Sequence, residues 1–137
     1  MNDMSRIWRI PTPPPDRSLR DAVVRGFLGR CPACGRGRLF LSYLKVAPAC
    51  AVCGEAFSGH RADDAPAYIT LLIVAHVIGL GVLTSDELWP NGSMLWVAVF
   101  WLWVTLMSSL LILPRAKGAV VGQQWALGMH GFGTGRG

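Results

Sequence analysis

Four cysteines stand as two matched pairs, Cys31-Pro-Ala-Cys34-Gly35 and Cys50-Ala-Val-Cys53-Gly54, with fifteen residues between the pairs. That spacing lets four thiolates close around one metal ion. The stretch around the pairs is too short to stabilise itself by apolar burial, so its fold depends on such a staple. Zn²⁺ is the expected ion, because it lowers thiol pKa values and its binding free energy becomes folding free energy. With all four positions filled by protein, the site is expected to be structural rather than hydrolytic. Cu(I) or an iron–sulfur centre is the alternative for soft thiolate ligands. A redox Cys-x-x-Cys is disfavoured, since no thioredoxin-like βαβ context surrounds it.

Two long apolar runs, 65–83 and 94–113, follow the cysteines. Nineteen residues rise about 28 Å as a helix, close to the hydrocarbon thickness of a bilayer. Composition agrees: 52% hydrophobic with only 15% charged residues is unusual for one soluble domain. Charge position sets the expected orientation. Ten of the thirteen Lys and Arg residues precede the first run and three follow the second, whereas the connection 84–93 has none and carries Asp86 and Glu87. The positive-inside rule therefore puts both termini and the cysteine module in the cytoplasm, with only the short loop 84–93 outside. Thiols persist on that reducing side. No secretory signal is read at the N-terminus, because no apolar core follows its basic residues for more than sixty positions.

The expected fold is thus a small zinc-ribbon-like β module, then a two-span α-helical transmembrane hairpin, then a juxtamembrane amphipathic segment. Residues 1–24 read as a flexible basic, Pro-rich arm, with Ile7, Trp8 and Ile10 as possible lipid-interface contacts. Residues 25–62 form the module, preceded by a short helical turn over 21–29, with a small ribbon at 39–44 and Gly35 and Gly54 supplying positive φ after each knuckle. Residues 63–113 form the hairpin, opened by an acidic cap and Pro66 in the first turn and ended at Pro114-Arg115. Trp96 is the expected outer anchor. Residues 114–137 form a segment lying on the inner leaflet, with Ala116, Val120 and Leu127 on one face and Lys117 and Gln124 on another, ending in a loose tail.

Outside the cysteines, the segment His60-Arg61-Ala-Asp63-Asp64 crowds ionisable groups at the mouth of a spanning helix. A cap with an interfacial charge cluster accounts for it; a polar edge that binds a metal, a haem propionate or a protein is the sharper reading. His76 falls near mid-bilayer, where an ionisable side chain is costly. It reads either as a neutral histidine bonded across a helix contact, beside Leu72, Ala75 and Gly79, or as an intramembrane haem or metal ligand needing a second donor from another chain. Thr105, Ser108 and Ser109 make the polar face of the second run, and His130 reads as interfacial. No Ser/His/Asp set, phosphate-cradling Gly loop or isolated carboxylate pair is found, so no enzymatic activity is expected. The basic residues suit anionic lipid headgroups better than nucleic acid, which remains a third reading.

The segments Arg30-Cys-Pro-Ala-Cys-Gly-Arg-Gly-Arg-Leu-Phe40, Cys50-Ala-Val-Cys-Gly54, Phe57-Ser-Gly-His-Arg-Ala-Asp-Asp-Ala-Pro-Ala-Tyr68 and Leu113-Pro-Arg-Ala-Lys-Gly-Ala-Val-Val-Gly-Gln-Gln-Trp-Ala-Leu127 together resemble the bacterial domain-of-unknown-function family 983. The resemblance spans about 29–132. It implies a small inner-membrane protein of unassigned activity and, through genes that often lie near those for haem–copper oxidase assembly, an accessory role in respiratory-complex biogenesis. The function expected is a non-enzymatic scaffold or accessory factor for a membrane complex, with an oxidase or its assembly factors as partner and a homo-oligomer as a further possibility. A membrane-bound copper or haem carrier is the alternative.

Overall fold

The computed structural model describes residues 17–59, 64–129 and Phe132. Among these residues there are three helices and one small hairpin: α1 (Leu19–Phe27), β1 (Phe40–Ser42), β2 (Lys45–Val46), α2 (Ala65–Leu88) and α3 (Met94–Ala126). The expected helical turn is a true helix, and it starts inside the stretch read as a flexible arm. Ser18 caps it, its Oγ accepting from the Asp21 N–H at 3.4 Å, and Gly29 in the left-handed region (φ 71°) ends it.

The β1–β2 pairing is antiparallel, Phe40 opposite Val46 and Ser42 opposite Lys45, with an irregularity between them. Tyr43 and Leu44 form the tip, and Leu44 is held at φ 61°, unusual for a branched side chain. Isolated bridges join Arg30 to Arg38 and Ala49 to Ala56, one closing each cysteine knuckle.

Helix α2 runs to Leu88, five residues beyond the end of its apolar run, so much of the expected loop 84–93 is helical. Its cap differs from expectation: the Asp64 carboxylate makes no capping bond, and the first turn is entered through Pro66 alone. Pro66, Thr70, Val74 and Ser85 are its buried positions, a stripe at near-helical spacing against α3. Gly81 lies on that stripe because Trp101 of α3 fills the space a Cβ would need. Beside it Trp101 Nε1 donates to Ser85 Oγ at 2.7 Å, and Ser85 in turn donates to the Gly81 carbonyl at 2.8 Å. Small residues that admit a close aromatic, plus one interhelical hydrogen bond, are what helix packing in an apolar surround favours.

The largest departure from expectation concerns α3. Pro114 does not end the second long helix; α3 continues unbroken for 33 residues, about 50 Å. A proline inside a helix removes its own N–H and so orphans the carbonyl four residues earlier. Here that carbonyl belongs to Leu110, and the Tyr43 hydroxyl at the hairpin tip donates to it at 2.9 Å. Next along the helix, Lys117 Nζ donates to the Leu44 carbonyl at 2.7 Å. The hairpin tip therefore repairs the helix at the point where the sequence suggests a break.

Past Pro114, α3 is a buried strut rather than a surface segment. Ala116, Gly118, Val121, Gly122, Gln124, Trp125 and Ala126 are all buried, so Gln124 is not on a solvated face. Helix α1 lies against this half at backbone contact: a Cβ on Gly118 would strike the Gly26 carbonyl, and one on Gly122 the Ala22 carbonyl. Leu39, Phe57, Cys31, Cys50, Val121, Trp125 and Phe132 share the core that joins strut and cysteine module.

Candidate metal centre

Each cysteine pair sits on a turn of the same construction. Gly35 N–H donates to the Cys31 carbonyl at 2.8 Å, and Gly54 N–H to the Cys50 carbonyl at 2.9 Å. Both glycines adopt left-handed φ, 69° and 76°, as the knuckle turn demands. Backbone donors then face sulfur: Arg36 N–H to Cys34 Sγ at 3.5 Å and Val52 N–H to Cys50 Sγ at 3.4 Å.

The two turns face each other, and all four Sγ atoms lie within 4.8 Å of one another. Across the gap Cys31 Sγ is 3.7 Å from Cys53 Sγ, and Cys34 Sγ is 3.8 Å from Cys50 Sγ. These separations exclude disulfide bonds and match the edge of about 3.8 Å that a tetrahedron with 2.3 Å metal–sulfur arms requires. The donor set fits a four-thiolate metal ion. Gly37 guards the arrangement from the side, since a Cβ there would collide with Cys50 Sγ.

The thiols are not equivalent. Burial pushes Cys31 up to about 12, whereas the N–H groups of Gly37 and Arg36 bring Cys34 down to about 6. Burial also opposes ionisation of Cys50, but the N–H groups of Cys53 and Val52 outweigh it and its pKa is lowered; burial raises that of Cys53. Each knuckle thus pairs one thiol whose pKa is lowered by backbone N–H groups with one whose pKa burial raises.

Two clamps, braced by a third contact, tie the cage to the helices. Arg25, in the last turn of α1, donates to the carbonyls of Pro32 and Ala33, both at 3.1 Å, inside the first knuckle. Trp125 of α3 donates from Nε1 to Glu55 Oε1 at 2.9 Å, just after the second knuckle. Arg17 closes the set from outside, donating to the Trp125 carbonyl at 2.9 Å with its guanidinium 4.4 Å from the indole centre. Tyr43 and Lys117 fix the hairpin between the knuckles. The sequence marks none of these residues as clamps, because each bond joins positions made neighbours only by the tertiary fold; scattered Arg, Trp and Tyr carry no periodicity that would reveal it.

The other residues singled out by sequence do not join the cage. His60, Arg61 and Asp63 lie outside the described residues, and Asp64 is exposed. His76 is exposed on α2, and its bond is not across a helix contact: Nδ1 lies 2.7 Å from the carbonyl oxygen of Leu72 on its own helix. Ala75 and Gly79 beside it are open as well. Thr105 and Ser108 likewise bond back to their own helix, at the carbonyls of Trp101 and Val104, both at 2.7 Å.

Both α2 and α3 are long and apolar enough to cross a membrane. Only 11% and 0% of their most apolar windows is buried within the protein, unlike the core helix of a soluble domain. No curated protein and no solved structure is significantly similar to the chain. A family model described as a protein of unknown function, DUF983, matches residues 40–125, from β1 through the second cysteine pair and both long helices to Trp125. Since that match covers well over half of the sequence, the chain belongs to the DUF983 family.

Proposed function

We propose that this protein is a two-span inner-membrane scaffold whose cytoplasmic cap, stapled by a structural Zn²⁺ on Cys31, Cys34, Cys50 and Cys53, presents a fixed surface to a membrane complex. The observation that carries this reading is the continuity of α3: one helix is both the second span and the strut on which the cysteine cage is clamped. A closed thiolate cage offers no coordination site for substrate, which supports a structural role and a non-enzymatic protein. The clamps at Arg25, Tyr43, Lys117 and Trp125 set the cage at a constant depth below the bilayer, which suits docking rather than delivery of a mobile cargo.

The partner we propose is a haem–copper respiratory oxidase or its assembly machinery. Affinity purification of the full chain in mild detergent, with mass spectrometry of partners and elemental analysis, tests this. Zinc with co-purified oxidase subunits supports the scaffold. Bound copper, or a haem absorption band lost in His76→Ala, replaces it with a carrier, and unchanged oxidase content in a deletion strain removes the oxidase as partner.

A further inference from the structure

Two cavities meet on one side of the cap. The first, of about 430 Å³, is an apolar groove at the inner end of the proposed span, walled by Phe27, Leu28, Leu110, Leu111 and Pro114 with Arg115 at its edge. The second, of about 600 Å³, is a polar cleft lined by Arg30, Arg36 and Arg38. Leu28, Gly29 and Phe40 border both, so groove and cleft are continuous.

The arginines are placed against their own electrostatics. Arg30 and Arg38 are directly opposed in an antiparallel bridge, where like charges repel. Arg36 lies between them along the loop, and all three are exposed. No described carboxylate lines either cavity: Glu55 is engaged by Trp125, and Asp21, Asp64, Asp86 and Glu87 lie elsewhere. Among the described residues the cleft therefore has no counter-charge, and its apolar extension opens at the inner end of the proposed span. A ligand that satisfies both halves carries an anionic phosphate joined to an alkyl chain.

We infer that this composite cleft binds one anionic glycerophospholipid of the inner leaflet, its phosphate between Arg30, Arg36 and Arg38 and an acyl chain along the groove at Leu110 and Leu111. Basic pockets at the cytoplasmic ends of spanning helices recognise acidic headgroups through such guanidinium contacts. The site lies beside the first knuckle, so a bound lipid also fixes the cap against the bilayer. It rests on the membrane reading given above.

The test uses the full chain purified in mild detergent, offered phosphatidylglycerol or phosphatidylcholine and examined by native mass spectrometry. One phosphatidylglycerol per chain is expected to be retained over phosphatidylcholine. Arg30→Gln with Arg38→Gln should weaken retention about twenty-five-fold, from two headgroup contacts of about fivefold each. Arg20→Gln with Lys45→Gln removes the same charge from exposed positions that line neither cavity and should leave retention unchanged, with thermal melting of both variants like that of the parent. Equal retention of the two lipids, or equal losses in the two double variants, overturns the site while leaving the membrane reading intact. Displacement of the lipid by equimolar glycerol 3-phosphate, or by an RNA oligonucleotide, also overturns it by assigning the cleft to another ligand. Recovery of the chain in the soluble fraction without detergent overturns site and membrane reading together.

Discussion

Cys34 and Cys31 occupy the same knuckle yet ionise on opposite sides of neutrality, about 6 and about 12. Zinc binding to the metal-free protein at pH 7 should therefore release fewer than four protons, because Cys34 is already a thiolate. As pH falls below about 6, Cys34 takes up its proton, the number released rises towards four and affinity drops. Calorimetry of zinc binding in buffers of different ionisation enthalpy measures this directly; a release of four protons at pH 7 would contradict the assignment. Gly37 gives a second residue-level expectation. Gly37→Ala pushes a methyl group into Cys50 Sγ and should lower metal affinity by tenfold or more, read by competition with a chelator. The cage was legible in the sequence because ligand spacing is written along the chain. The inequality of its thiols was not, since it comes from which backbone N–H groups the folded turns aim at sulfur.

Among the elements, α3 and the β1–β2 hairpin depend on each other at Pro114. Tyr43→Phe removes the hydroxyl that serves the Leu110 carbonyl and should cost about 0.5–1.5 kcal/mol, the net worth of one hydrogen bond. In a Pro114→Ala background the helix regains its own N–H, so the same Tyr43→Phe change should cost much less; equal costs in a double-mutant cycle would disprove the coupling. The α1–α3 contact is a second joint. Gly118→Leu must drive the two helices apart at the Gly26 carbonyl and should destabilise the cap by about 2 kcal/mol or more, measured by thermal melting. Local rules explain why the sequence misplaces the end of α3. A proline followed by a basic residue after twenty apolar positions carries the local signs of a helix end. The bond that overrides those signs comes from a tyrosine 67 residues away, and nothing in the periodicity of either segment announces it. Helix α1 is under-read for a similar reason: Gly26 lowers its local helix propensity, yet that glycine is what permits backbone contact with Gly118 of α3.

The described residues are organised around one rod, α3, with apolar residues exposed along its first part and the cysteine module gripped by its last. The two long helices were legible in the sequence through their apolar length. The fusion of the apolar half of α3 with the cysteine module was not legible, because it rests on the clamps at Arg25, Tyr43, Lys117 and Trp125 rather than on composition. The proposed orientation predicts a labelling pattern for the whole chain. Ser93→Cys, in the turn between α2 and α3, should react with a membrane-impermeant maleimide in intact cells, whereas Arg20→Cys should react only after permeabilisation. The reverse pattern would invert the protein. The most direct test of the central claim, that four cysteines fix a zinc-stapled cap to a membrane rod, is the metal content of the full chain purified in mild detergent without added metal. One zinc per chain, lost together with cap stability in Cys31→Ser, is the predicted result; copper without zinc, or cysteines paired as disulfides, would contradict it.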